Sequence, residues 1–160
     1  MMLTWIEGGL TRVPGVKVGH ADHPDGYTGV TVALFDQAVP GGVEITGGGS
    51  GTRQFGALDP THVAGRVHAV VFAGGSAFGL DTGTGVVAWL EERGIGLPVS
   101  ETQVIPIVPT AIVFDLMVAG DARPTAALAR TACDAASRDP VAEGSVGAGR
   151  GATVGKCTGQ

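Results

Sequence analysis

The sequence is poor in aromatic residues, which occupy 5% of its 160 positions, and in charged residues, which occupy 16%. Its ten lysines and arginines are scattered, so it lacks the basic stripe that binds a nucleic-acid backbone. No apolar run approaches the roughly 18–20 residues of a membrane span. The N-terminal stretch lacks a basic start followed by an apolar core, as in a secretion signal. We therefore expect a cytoplasmic protein that binds neither nucleic acid nor membrane.

Cysteine is scarce too, with only Cys133 and Cys157 in the chain. Without a secretion signal, both are expected to be free thiols. Cys157 follows a lysine, but no histidine lies near it in sequence, so a bystander role is favoured over a reactive thiol. Glycine, by contrast, is abundant at 28 residues and has no collagen period. Because glycine lets backbones approach closely, this composition predicts a tightly packed, layered α/β protein.

The pattern of apolar runs and turn residues predicts a single α/β unit over residues 1–160, with strands followed by alternating helices and strands. Extended segments are predicted at 16–20, 29–35, 43–46, 67–73, 104–109 and 111–118, and at 145–155, where a strand enters a loop. Helices are predicted at 60–64, 78–93 and 124–136. The chain stops on a glycine-rich loop, and we expect the polypeptide to continue into a second half.

Two motifs resemble ligand sites only in part. The stretch "GAGRGATVGKCT" resembles a phosphate-binding loop, but five residues separate Gly149 from Gly155, and Cys157 stands where a hydroxyl is required. A glycine turn with a surface lysine is the simpler interpretation. The stretch "GHADHPDG" places His20 and His23 near two aspartates, yet the ligand set is incomplete, so a polar turn is favoured. We predict no metal and no cofactor.

A third motif, "GGGSGTR" at 47–53, could form a backbone nest for an anion with Arg53, or a flexible loop. Both interpretations stay open. The stretch "AVVFAGGSAFGLDTGTGVVAWLEERG" at 69–94 raises a different question, because Gly74, Gly75 and Gly79 crowd one strand–helix junction. A nucleophile elbow would need glycine where Phe78 stands, so Ser76 is not predicted to be the primary nucleophile. A backbone-lined wall beside a ligand or a second chain segment fits better.

Seven stretches follow one another along nearly the whole chain: "GGLTRVPGVKVGHA", "GVTVALF", "GGGSGTR", "GALDP", "VFAGGSAFGLDTGTGVVAWLEERG", "IPIVPTAIVFDL" and "GSVGAGRGATVGK". Together they resemble the N-terminal half of the self-processing L-aminopeptidase/D-esterase family, which includes β-peptidyl aminopeptidases and a nylon-oligomer hydrolase. The resemblance implies a layered αββα sandwich of the N-terminal-nucleophile-hydrolase kind, of which this chain is the N-terminal half. It also implies a precursor that cuts itself before a serine or threonine.

The resemblance assigns roles to particular residues. The family's glycine-rich strand–helix junction falls on Gly74, Gly75, Ser76, Ala77 and Phe78, which are expected to line the substrate pocket. Some members have tyrosine where this chain has Phe78, so any role of that hydroxyl is lost here. The two glycines are expected to admit another backbone, the one that bears the nucleophile. The apolar helix after them is expected to be covered by a central layer of the sandwich.

The family's catalytic lysine falls on Lys156, whose ammonium would stabilise negative charge or help to move a proton. The nucleophile would lie on a C-terminal β chain outside this sequence, and the complete protein would be a homo-oligomer, a tetramer of αβ units. The predicted activity is hydrolysis of a small peptide or amide through an acyl-enzyme. Two alternatives stay open: acyl transfer like that of ornithine acetyltransferase, and a non-catalytic module that binds a small ligand.

Overall fold

Helices cover one face of the main sheet in the structure, a computed structural model that describes residues 9–158. The strands are β1 (Val16–Asp22), β2 (Gly29–Pro40), β3 (Thr52–Arg53), β4 (Arg66–Ala73), β5 (Leu97–Pro98), β6 (Val104–Ile105) and β7 (Thr110–Ile112). The main sheet has the strand order β1-β2-β4-β7-β3, and β5 and β6 form a separate hairpin. The α-helices are α1 (Thr82–Glu91), α2 (Leu116–Ala119) and α3 (Ala126–Asp134).

The main sheet contains one parallel pair of strands, at its centre. Strands β1, β2 and β4 pair antiparallel, whereas β4 and β7 pair in parallel with Val71 opposite Thr110. Helix α1 lies in the crossover between those two parallel strands, as a parallel pair requires. The carboxyl ends of β4 and β7 therefore meet at the same edge of the sheet, and the loops that leave them are neighbours.

The hydrophobic core lies between the sheet and helices α1 and α3. Val32 and Val71 from the sheet and Val86 from α1 have no exposed surface. A Cβ on Gly85 of α1 would overlap the backbone of Ala126, so glycine is what lets α1 and α3 pack this closely. The expectation that a neighbouring layer covers the apolar helix is confirmed, because α1 packs between β4 and α3.

The opposite face of the sheet is covered only in part. Val16, Val18 and Ala33 form a small cluster there with Phe35 and Val141. Because side chains alternate along a strand, Phe72 points away from the helices, and its side chain is 47% exposed. A large apolar side chain that is exposed on a central strand is typical of a sheet face on which another layer packs.

Several predicted elements are confirmed, namely the strands at 16–20, 29–35 and 67–73 and the helix at 124–136. The helix predicted at 78–93 begins instead with a 3₁₀ turn, Ser76–Asp81, that continues into α1. The predicted strand at 43–46 is wrong, because within residues 9–158 no strand pairs with it, and Val43 and Ile45 are exposed.

Three further predictions are wrong. The helix predicted at 60–64 is a turn, and a 3₁₀ turn lies just before it at Phe55–Leu58. The apolar run at 111–118 is not one strand: β7 ends at Ile112 and α2 begins at Leu116. The strand predicted at 145–155 is replaced by a 3₁₀ turn at Gly147–Gly149. A short apolar run such as 111–118 is compatible with either a strand or a helix, which is why its pattern did not settle the assignment.

Stability is expected to decline as the pH falls from 7 to 5 because of His68 on β4. This side chain is 5% exposed, its Nδ1 accepts a hydrogen bond from the Ile107 amide (3.1 Å), and burial lowers its pKa. Below the ordinary histidine pKa of about 6.5, the unfolded chain therefore binds a proton that the folded chain does not, which favours unfolding. The loss from one such group cannot exceed about 1.4 kcal/mol per pH unit.

Urea unfolding between pH 5 and pH 8 measures this dependence. His68→Gln should flatten it, whereas His62→Gln should not. His62 is a matched control because it is exposed and its Nδ1 accepts a similar bond from the Ala64 amide (3.1 Å). Equal slopes for the two variants would show that His68 is not the responsible group.

Candidate active site

The backbone turns sharply where β4 ends, in a segment that we call the junction loop (Gly74–Phe78). The Gly74 amide donates to the Gly29 carbonyl (2.9 Å), and the Ser76 amide donates to the Val113 carbonyl (3.1 Å). Gly75 has φ +80° and Ser76 has φ +53°, so two consecutive residues are left-handed. For Ser76 this conformation costs about 1–2 kcal/mol, and it persists because the amides of Ser76 and of the preceding Gly75 are both hydrogen bonded to other segments. The reversal directs Ala77 and Phe78 to the surface.

A buried carboxylate lies directly beneath the junction loop. Asp115, which is 1% exposed, accepts a hydrogen bond at Oδ1 from the Gly75 amide (2.6 Å). Its Oδ2 accepts a second bond from the hydroxyl of Thr28 (2.6 Å), a residue with no exposed surface. Asp115 therefore links the loop after β7, the loop after β4 and the first residue before β2.

At each of the three glycines of the junction, a different neighbouring group excludes a side chain. A Cβ on Gly74 would overlap both Oδ2 of Asp115 and the Thr28 hydroxyl. A Cβ on Gly75 would lie 2.7 Å from Cδ of Pro124, and one on Gly79 would overlap the Gly74 carbonyl. In the direction of a Cβ, the space beside Gly74 is filled by side chains of this same chain, and the passage of another backbone past the two glycines stays a prediction.

Phe78 presents its ring at the surface, with 61% of the side chain exposed. The guanidinium of Arg123 lies 5.1 Å from the ring centroid, a cation–π contact. Arg123 is itself held by hydrogen bonds to the carbonyls of Gly120 (2.6 Å) and Ala122 (2.7 Å). The ring can therefore offer an apolar surface and a neighbouring positive charge, but no hydroxyl.

Large apolar side chains are exposed around the carboxyl ends of β4 and β7. Phe72 precedes the junction loop, Phe114 precedes Asp115, and both are about half exposed. Met117 on α2 is 77% exposed, and Tyr27, next to Thr28, is 64% exposed. Clusters of exposed apolar residues mark contact with a ligand or with another part of a protein.

The C-terminal glycine loop begins against the same carboxylate. A Cβ on Gly151 would overlap the Tyr27 carbonyl and would lie 3.0 Å from Oδ2 of Asp115. A cleft of about 260 Å³ lies beside this loop. Two larger clefts lie elsewhere, one of about 440 Å³ between β1, β2 and helices α1 and α3, and one of about 520 Å³ along β1 and β2. None of the three clefts is lined by Lys156 or by a residue of the junction loop.

Lys156 lies in a 3₁₀ turn (Lys156–Thr158) and is exposed. Its ammonium donates to the Thr153 carbonyl (2.6 Å). Within residues 9–158, no hydrogen bond or ion pair joins it to the junction loop. Its catalytic role stays a prediction, as does the role of the junction loop as a pocket wall.

The histidine and aspartate motif near residue 20 is divided among local contacts. His20 Nδ1 pairs with the Thr31 hydroxyl (2.9 Å), and Asp22 accepts from the Gly147 amide (2.6 Å) and pairs with Arg150 (2.5 Å). His23 Nδ1 accepts from the amide of Asp25 (3.2 Å). In the described part of the chain, no three potential metal ligands converge. The motif therefore ties β1 to the 3₁₀ turn at 147–149.

The remaining sequence motifs also have structural partners. Arg53 donates to the Thr84 hydroxyl (2.5 Å), so its guanidinium contacts the start of α1, next to the glycine run at 47–51.

Cys133 is buried, which raises the pKa of its thiol to about 12, and Cys157 is exposed; both are free. Among residues 9–158, no helix has the length and apolar character needed to cross a bilayer.

Sequence reasoning missed Asp115 and Thr28. The interpretation of 111–118 as one buried strand hid the point at which Asp115 leaves the sheet. A lone carboxylate in the apolar run "AIVFDLMV" was the available signal, because an acidic residue is rarely buried unless it has a specific partner. Thr28 carries no such signal, since threonine is common before a strand.

Comparison with known proteins gives consistent matches over this fold. The model of peptidase family S58 matches residues 9–159. The chain is 43% identical over 159 residues to an uncharacterized aminopeptidase of Mycobacterium tuberculosis, covering 94% of this chain and 46% of that protein. It is 34% identical over 145 residues to a 6-aminohexanoate-oligomer endohydrolase of Kocuria sp., covering 89% and 38%. The chain thus spans less than half the length of these curated relatives.

A solved structure matches the fold. It is an L-aminopeptidase D-Ala-esterase/amidase of Ochrobactrum anthropi, described as a prototype of the serine aminopeptidases with a new variant of the Ntn hydrolase fold. The TM-score is 0.71 at 22% identity, and the match covers 94% of this chain and 47% of that one. The predicted N-terminal-nucleophile-hydrolase type of fold is confirmed.

Proposed function

The chain belongs to peptidase family S58, and from that premise we propose that it is the N-terminal part of an aminopeptidase-type amide hydrolase that matures by self-cleavage. The observation that carries this proposal is the family match across residues 9–159. The proposed complete protein is twice as long, with a β chain from the same precursor as the partner. This proposal includes a cytoplasmic location and a tetramer of αβ units.

The proposed chemistry divides between the two parts. A serine or threonine at the N-terminus of the β chain attacks the substrate carbonyl and forms an acyl-enzyme as the amine leaves, and water then releases the acid. On this chain, the junction loop lines the pocket and Phe78 supplies an apolar wall. Lys156 stabilises the negative charge that develops on the carbonyl oxygen, or moves a proton. The proposed substrate is a small peptide or a related linear amide.

Expression of the full-length protein that contains this chain tests the proposal. We expect two bands on a denaturing gel, intact masses that add up to the precursor mass, and hydrolysis of an aminoacyl p-nitroanilide. Alanine at the new N-terminus of the β chain should leave one band and no hydrolysis. A protein that stays in one piece yet hydrolyses the amide would contradict self-cleavage. Acetyl transfer to glutamate without hydrolysis would assign the protein to the acyltransferase alternative.

A further inference from the structure

Asp115 is buried without a compensating cation among residues 9–158. It is 1% exposed, and its described partners are two neutral donors, the Gly75 amide and the Thr28 hydroxyl, each at 2.6 Å. Burial of a carboxylate without an ion pair is costly, and such groups are retained where their hydrogen bonds fix a particular geometry. The uncharged amide of asparagine would fill the same space without the cost of burying a charge.

Four chain segments meet at this carboxylate. The segment of Asp115 itself continues into α2, whose first turn begins with bonds from the amides of Val118 and Ala119 to the Asp115 carbonyl (both 2.9 Å). Thr28 precedes β2, and Gly75 lies in the junction loop. Gly151 begins the loop that leads, five residues later, to Lys156. A small shift of Asp115 therefore changes the relative positions of the two segments to which the site residues belong.

We propose that Asp115, held by Thr28, is a positioning residue for the active site. Its Oδ1 fixes the peptide plane of Gly75, which sets the left-handed conformation of Ser76 and the direction of Phe78. Its other side supports Gly151 and hence the loop that carries Lys156. This inference rests on the proposed function. Misplacement of reacting groups by about 1 Å can cost about 100-fold in rate. We therefore expect substitution of Asp115 to lower kcat.

The test uses the full-length protein and four variants. Asp115→Asn removes the negative charge and replaces one of the two acceptor oxygens by a donor amide, and Thr28→Val removes the hydroxyl, both with little change in volume. Thr28→Ser keeps the hydroxyl. Asp121→Asn is the matched control, because Asp121 is an exposed carboxylate six residues away. For Asp115→Asn and Thr28→Val we expect kcat to fall about 10- to 100-fold with KM within about threefold of wild type. Thr28→Ser and Asp121→Asn should stay within about threefold in both constants.

Hydrogen exchange at the Gly75 amide supplies the second measurement. It should quicken in Asp115→Asn, while the Val71 amide, which donates to the Pro109 carbonyl, stays protected. If kcat per folded molecule is unchanged in Asp115→Asn and Thr28→Val, positioning by Asp115 is wrong. If both variants fail to fold while Thr28→Ser folds, the carboxylate is only a structural anchor, which also overturns the proposal. If the wild-type protein showed no hydrolysis, the proposed function would be refuted instead. The wild-type protein is therefore assayed before any variant is made.

Discussion

Gly74→Ala is expected to abolish hydrolysis and to lower the free energy of unfolding by at least about 3 kcal/mol. The added Cβ would overlap Oδ2 of Asp115 and the Thr28 hydroxyl, and both groups are buried. Relief of this overlap requires the carboxylate to move away from its two donors, so the variant combines overpacking with the loss of two buried hydrogen bonds. Urea unfolding and the hydrolysis rate of the full-length protein measure the two effects.

Gly42→Ala is the control for the loss of a glycine as such. A Cβ at Gly42 meets no atom within 4 Å, and its φ lies outside the left-handed region. We expect its stability to stay within about 0.5 kcal/mol of wild type and its activity to be unchanged. If Gly74→Ala were as stable and as active as Gly42→Ala, the close packing of Asp115 and Thr28 against Gly74 would be contradicted.

Lys156→Met is expected to reduce kcat of the mature enzyme by about 100- to 1,000-fold, the cost of removing one group that stabilises a developing oxyanion. The fold should be almost unaffected, because Lys156 is exposed and its described contact is one hydrogen bond to the Thr153 carbonyl. Steady-state kinetics on an aminoacyl p-nitroanilide, together with a thermal unfolding curve, separate the two effects. The same gel that follows self-cleavage shows whether maturation also needs the lysine.

Two further variants separate the possible roles of Lys156. Lys156→Arg keeps the charge but cannot give up a proton, so activity retained by arginine indicates charge stabilisation, and activity lost indicates proton transfer. Lys17→Met is the matched control, since Lys17 is the other lysine of the chain and forms an ion pair with Asp36 (3.1 Å). Equal activity of Lys156→Met and Lys17→Met would remove Lys156 from the site.

The local sequence pattern was sufficient to predict the regular elements whose apolar residues follow one another in a clear pattern. The strand at 67–73 and the alanine-rich helix at 124–136 were predictable, because burial of one face is encoded in each segment separately. The glycine-rich junction at 74–79 was recognisable as a place where groups pack closely on the backbone, since glycine has no side chain to keep them away. The family resemblance followed from the order of several motifs, which no single motif could establish.

Pattern failed where short segments take their structure from distant neighbours. The run at 111–118 has the composition of one strand, yet the chain leaves the sheet at Val113 because Asp115 bonds to Gly75, 40 residues earlier. The run at 43–46 has strand character but no pairing partner.

The sequence by itself determined the fold class, the main strands and helices, and the residues of the junction loop. The tertiary structure decided what fills the space that the glycines leave. A glycine in the sequence indicates only that a Cβ would overlap a neighbouring atom. Which atom lies there depends on segments that are far apart in the chain. The carboxylate of Asp115 and the hydroxyl of Thr28, 87 residues apart, meet only when β2, β4 and β7 assemble.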